Sequence, residues 1–273
     1  MSLMKSCVTI ALVPSIKTGP WIYWDNLESG MRKAAQLGFD GVELFTASAN
    51  AVAPGELIDL SQKLGISVAA VGTGAGKVIH GLMLTDPDSA IRLQAIAFIK
   101  GMVMFGATVG APAIIGSMQG TVSSGADREQ TLAWLADGLN TLGAFAEVQG
   151  VPLIYEPLNR YETNLINRLD EGVNFIKSLD TKNVKLLADL FHMNIEEQSL
   201  PDSIRNAGSL IGHVHFADSN RGPVGMGHTR MDDVAKALYD IDYQGYISAE
   251  AFPWPTPDEA AQQTIHSYRH YFS

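Results

Sequence analysis

Apolar residues in this chain gather into eight short runs, each followed by a longer segment whose apolar positions recur every three or four residues. The runs cover residues 7–13, 41–45, 67–71, 111–115, 152–156, 184–189, 211–215 and 246–250, lengths that suit buried strands. Between them the wider period predicts helices over 26–37, 54–64, from a cap at 85–88 to about 105, and from about 128 to 148. Further helices are predicted from about 170 to 179, over 201–207 and 232–239, and over 257–271. Local punctuation agrees: Asp25 stands at an N-cap position, and Gly38 and Gly65 fall where a C′ glycine ends a helix. Residues 72–80 are glycine-rich and read as a flexible loop rather than a phosphate cradle, because a long segment separates them from the next helix. A strand and a helix repeated eight times, at a mean spacing of about 34 residues, is the rhythm of a (β/α)8 TIM barrel, a single α/β domain over residues 1–273. The rival is an open doubly wound sheet, but no Gly-x-Gly-x-x-Gly joins the first strand to the first helix.

Composition leaves that architecture in place and narrows the partners. A hydrophobic content of 46% supplies a large core. The 19 basic and 29 acidic residues give a net charge of −10, which disfavours nucleic acid and anionic membrane surfaces as partners. Cys7 is the only cysteine, so neither an intrachain disulfide nor a multi-cysteine metal cluster can form. Residues 95–116 are the most membrane-like stretch, but Lys100, Gly101, Gly106, Gly110 and Pro112 interrupt it, so a buried helix running into a strand is expected. No charged region followed by an apolar leader opens the sequence, and a cytoplasmic enzyme is expected.

In a parallel barrel the reacting groups gather at the carboxyl ends of the strands. Four of the runs end on an acid or an imidazole: Glu156, Asp189, His215 and Glu250. The period of two puts Ile154 with Glu156, Leu187 with Asp189, His213 with His215 and Ser248 with Glu250. Any one of them alone reads as a helix cap or a core histidine. Four at one end of a barrel form an oxygen-rich site suited to Mn²⁺, Mg²⁺ or Co²⁺, with Zn²⁺ less favoured. A divalent ion chelated by a carbonyl and its neighbouring hydroxyl lowers the cost of an enediolate. Two glutamates facing each other across a substrate would then invert a stereocentre, whereas one glutamate shuttling a proton between adjacent carbons would interconvert aldose and ketose. The residues alone leave both open.

The strings Glu156-Pro-Leu-Asn-Arg-Tyr-Glu162, Asp189-Leu-Phe-His-Met-Asn-Ile-Glu196, His213-Val-His-Phe-Ala-Asp-Ser-Asn-Arg221 and Ser248-Ala-Glu250 resemble those of the ketose 3-epimerases. These form the D-tagatose/D-psicose 3-epimerase group of the xylose-isomerase-like sugar isomerase/epimerase superfamily. The resemblance spans the chain in architecture, with its diagnostic strings in the second half. It implies that Glu156, Asp189, His215 and Glu250 hold one divalent metal, Mn²⁺ foremost, and that Glu156 and Glu250 double as the acid/base pair. By the same resemblance Glu162, His192 and Arg221 bind the substrate's oxygens, the substrate is a sugar, and the chain is a homodimer or homotetramer. One departure stands out: residues 114–120 lack the aromatic that the family often places over the sugar. Trp21, Trp24 and Trp254, in predicted loops at the same end, are placed to supply an apolar wall instead. Glu43, in the second run, either faces the site or is a solvated acid, and His213 is expected to be buried and hydrogen-bonded. Within the superfamily, isomerisation of the hydroxypyruvate-isomerase kind and keto-inositol dehydration are the alternatives. Endonuclease IV-like DNA repair shares the barrel but needs three metals, and only His80 stands near the third and fourth runs.

Overall fold

Eight parallel strands wind into a closed ring in which every strand pairs with its neighbours in chain order. They are β1 (Lys5–Leu12), β2 (Gly41–Thr46), β3 (Ser67–Gly72), β4 (Ala113–Ile115), β5 (Leu153–Tyr155), β6 (Val184–Asp189), β7 (Ile211–His215) and β8 (Tyr246–Ala249). Closure comes from β8 pairing with β1, with Cys7 beside Ser248. A further two-residue strand, Tyr23–Trp24, pairs with the end of β1. The computed structural model describes residues 4–24 and 26–272, so the N-cap expected at Asp25 lies outside the described residues. Asn26 caps the first helix, its side chain accepting from the Ser29 N–H at 2.8 Å. The strands fall where the apolar runs predict them. β4 and β5 are shorter than expected because Pro112 and Pro152, which lack a backbone donor, stand just before them. Glu156 and Glu250 sit one residue past the ends of β5 and β8.

The helices are α1 (Leu27–Leu37), α2 (Pro54–Leu64), α3 (Ala75–His80), α4 (Ser89–Ala107), α5 (Arg128–Val148), α6 (Leu169–Ser178), α7 (Leu190–Glu196), α8 (Leu200–Ala207), α9 (Met231–Asp240) and α10 (Pro257–Phe272). Two of them correct the expectation. Helix α3 occupies most of the segment read as a flexible loop. Gly76 lies so close to Met118 and Phe98 that an added Cβ would collide, so this glycine serves close packing rather than flexibility. Helix α7 starts directly from β6 and is too short to show a period; Asp189 caps it by accepting from the Phe191 and His192 N–H groups. The apolar α4 is long enough to span a membrane, yet it packs on α5, β3 and β4, burying Ile99, Met102, Val103 and Phe105. Gly38 and Gly65 end α1 and α2 at φ +83° and +63°, as their positions predict.

Most of the core lies between strands and helices, with Ile10, Leu44, Leu57, Ile99 and Leu186 among its buried members. Inside the ring the filling is divided. Ala70, Ile114, Ile154 and Leu187, from β3 to β6, make a small apolar cluster of their own. From β7, β8, β1 and β2 come the buried polar groups His213, His215, Ser248, Thr9 and Glu43. This polar half meets the candidate residues at His215, which belongs to both. Cys7 is fully buried there, and burial, aided by Glu43, pushes its thiol pKa well up, so it is an inert packing residue.

Candidate active site

The ends of β5, β6, β7 and β8 bring Glu156, Asp189, His215 and Glu250 together, one ligand atom of each lying within 4.8 Å of the others. Nδ1 of His215 is the hub. It stands 3.0 Å from Asp189 Oδ2, 3.3 Å from Glu156 Oε1 and 3.4 Å from Glu250 Oε2. The other ring nitrogen, Nε2, lies 3.2 Å from Glu43 Oε1. Asp189 divides its oxygens: Oδ1 caps α7 at 2.8 and 3.0 Å, which leaves Oδ2 for the cluster. Among the described residues Glu156 Oε1 is buried without a hydrogen-bond partner, an arrangement costly unless something else satisfies it.

Charge is concentrated here. Burial pushes Glu250 up to about 7 against the pull of His215 and Arg221, while Glu156 and Asp189 add repulsion. Burial also opposes ionisation of Asp189, but His192, His215 and Arg221 outweigh it and hold the carboxyl well below its usual range. For His215 burial favours the neutral ring, and Glu43, Glu250, Asp189 and Glu156 overcome it and raise the pKa well above the ordinary value. An orphaned carboxylate oxygen, three acids and one imidazole nitrogen converging on one point fit a divalent cation with oxygen-rich ligation.

A cavity of about 400 Å³ opens over these groups. Arg221 reaches into it, with Nη2 2.6 Å from Glu250 Oε2, Nη1 3.6 Å from Glu162 Oε1, and its guanidinium 4.7 Å over the Phe191 ring. Its φ of +60° is unusual for a side-chain-bearing residue. The turn around it compensates: Arg221 N donates to Asp218 O at 2.8 Å, and Asp218 N donates to Gly222 O at 2.9 Å. The Asp218 carboxylate accepts from the N–H groups of Ser219, Gly225 and Thr229. His192 is buried, with Nε2 3.9 Å from Glu156 Oε1 and 3.8 Å from Asp189 Oδ2. Its Nδ1 faces Asn159 Nδ2 at 2.6 Å. Because Asn159 Oδ1 already accepts from Tyr161 N, its amide presents a donor to His192, which places the ring proton on Nε2, toward the site.

Every residue expected at the site therefore lines the cavity or touches a group that does. Glu162 does not pair with Arg160, which instead grips Glu196 at 2.8 Å. It turns toward Arg221, Asn159 and His192. Of the three tryptophans, only Trp21 lines this cavity, stacked on Phe45 with centroids 4.2 Å apart; Trp24 and Trp254 line a neighbouring one. At one of the positions after β4 the space is tight: a Cβ on Gly116 would meet Glu156 Oε2, so a side chain there would have to displace this carboxylate. His80, His266 and His270 are exposed.

Three supporting residues have no role readable from the sequence, and the structure decides between the two readings of Glu43. Glu43 is buried and binds His213 Nε2 at 2.7 Å, Ser248 Oγ at 2.7 Å and His215. Burial opposes its charge, but His215 and His213 prevail and depress its pKa strongly. Gln119 donates to the Glu156 carbonyl at 2.9 Å and accepts from Tyr155 OH at 2.6 Å, which pins the end of β5. Asn159 and Asp218 lie inside the strings quoted above but carry no charge pattern that reveals their partners.

Residues 31–270 match the xylose isomerase-like TIM barrel family. The D-psicose 3-epimerase of Agrobacterium fabrum is 34% identical over 87% of this chain and 80% of its own length. That of Ruminiclostridium cellulolyticum is 32% identical over 85% and 82%. The crystal structure of D-psicose 3-epimerase with D-tagatose from Clostridium cellulolyticum H10 superposes with a TM-score of 0.80 at 26% identity, covering 99% of this chain and 100% of that one. The fold, the family match and these relatives agree: the chain belongs to the xylose isomerase-like TIM barrel family, within its ketose 3-epimerase group, and is a carbohydrate epimerase.

Proposed function

We propose that the chain inverts carbon 3 of a ketose with the help of one divalent metal held by Glu156, Asp189, His215 and Glu250. The observation that carries this reading is the convergence of two glutamates on His215 Nδ1, 3.3 and 3.4 Å away, at the floor of a sugar-sized cavity. A bound cation, Mn²⁺ foremost with Mg²⁺ or Co²⁺ as substitutes, supplies Lewis acidity that lowers the cost of charge on the carbonyl oxygen. Glu156 and Glu250 then move the proton, one taking it from carbon 3 and the other returning one to the opposite face. Arg221, paired with Glu250, and the Nε2–H of His192 hold substrate oxygens near the reacting carbon. Glu162 accepts from a substrate hydroxyl on the open side. Trp21, Phe45, Ile114, Leu158 and Phe252 give the apolar wall.

The relatives named for D-psicose, and the one crystallised with D-tagatose, favour a free ketohexose as substrate. The same kinship supports a homodimer or homotetramer, which light scattering after gel filtration would measure. The decisive experiment is proton NMR in D₂O with Mn²⁺ and a ketose panel. Epimerisation labels and inverts carbon 3; carbonyl migration would mark an isomerase instead, and no exchange with any ketose would refute the reading. In the same assay Glu250→Gln is expected to abolish exchange.

A further inference from the structure

A second cavity of about 420 Å³ adjoins the first, and Thr18, Gly19 and Phe252 line both. Its remaining walls include the indoles of Trp24 and Trp254 and the side chain of Lys17. Trp254 stacks on Phe252, with centroids 4.7 Å and planes 17° apart, yet stays 44% exposed, so one face is covered and much of the rest is bare. Trp24 is held in place by its Nε1–H, which donates to the Trp21 carbonyl at 2.8 Å, and by edge contact with the Trp21 ring at 5.3 Å. The second cavity is also tied to the catalytic segments. Phe252 N donates to Arg221 O and Trp254 N to Phe252 O, both at 2.8 Å, and a Cβ on Gly222 would rest 3.5 Å from the Trp254 ring.

Bare, rotationally restricted aromatic rings in a concave site mark a place where a ligand's flat face is covered. The reaction cavity alone falls within the roughly 300–1,000 Å³ of ordinary ligand sites, so a single ketohexose has no need of the annex. Lys17 adds a hydrogen-bond donor for hydroxyl groups, which matches a ring with one apolar face and a hydroxylated rim. We propose that the annex binds a pyranose ring attached to the ketose that reacts next to it, so that the substrate class extends to ketose disaccharides. The inference rests on the epimerase reading above. The linkage cannot be at carbon 2, which must open to a carbonyl, or at carbon 3, which must keep its proton and its hydroxyl; a linkage through carbon 6 meets both conditions.

The test compares kcat/KM for 6-O-glucosyl-D-fructose with that for D-fructose, by carbon 3 exchange, in the wild type and in Trp254→Ala. The expected ratio of disaccharide to monosaccharide is at or above one in the wild type. It should fall about tenfold in Trp254→Ala, the scale of one lost ring stack, and recover in Trp254→Phe. A ratio unchanged by Trp254→Ala, or a wild type active on D-fructose and inactive on the disaccharide, overturns the annex. If neither sugar nor any ketose of the panel exchanges, the epimerase reading itself fails. Calorimetric titration of the disaccharide then decides the annex alone: weaker binding by Trp254→Ala supports it and equal binding overturns it.

Discussion

Glu43 shows how one carboxylate can govern a site from below. It accepts from His213, Ser248 and the Nε2 side of His215, which leaves His215 Nδ1 to face the three outer acids. A histidine ligand fixed in this way keeps its tautomer and its aim. Glu43→Gln is therefore expected to weaken Mn²⁺ binding by about 10- to 100-fold, measured by calorimetry on metal-stripped protein, with little change in circular dichroism. The presence of an acid, Glu43, inside the second apolar run was legible in the sequence. Its partners were not, because they lie 170 and 205 residues away and only closure of the ring brings them near. Glu156, Asp189, His215 and Glu250 were legible for the opposite reason. Each ends its own apolar run, and in a barrel every strand end faces the same mouth.

Among the elements, the turn between β7 and α9 owes most to a single side chain. Asp218 binds three backbone N–H groups and closes the turn on which Arg221 sits at positive φ. Burial works against its ionisation, but the N–H groups of Thr229, Ser219, Gly225 and Gly227 prevail and hold the carboxyl below its usual range. A folded-state pKa lower than the unfolded one stabilises the protein above the unfolded value, about 3.9 for Asp. That contribution is lost as pH falls through the depressed folded value. Asp218→Asn is expected to cost about 1–3 kcal/mol, to lower Tm at neutral pH and to flatten its decline on the acid side. It should also raise KM by loosening Arg221, and a thermal melt series from pH 3 to 7 with steady-state kinetics would check both. Helices α3 and α7 escaped the sequence pattern because they are six and seven residues long, less than two full turns. The longer helices gave themselves away through repeated apolar spacing and glycine or aspartate caps.

At the scale of the whole molecule, the ring keeps its apolar filling on β3 to β6 and its buried polar groups His213, Ser248, Thr9 and Glu43 on the other half, while the acids of the mouth come from the ends of β5, β6 and β8. An anionic well of this kind is stabilised by a cation that binds only the folded chain. Chelation with EDTA should thus lower Tm by about 5–10 °C relative to protein at about 100-fold excess of Mn²⁺ over its Kd, and adding Mn²⁺ back should restore it. Scanning calorimetry reads both changes, and an EDTA-insensitive melt would argue against the four-residue metal site. The polar half also straddles the seam where β8 meets β1, with Glu43 on one side and Ser248 and His213 on the other. Of the eight strands of the ring, β8 is the one whose docking on β1 completes the well. Before it docks, Glu156, Asp189 and His215 lack Glu250 and a sealed floor, so the metal affinity proposed above would arise only when the ring closes.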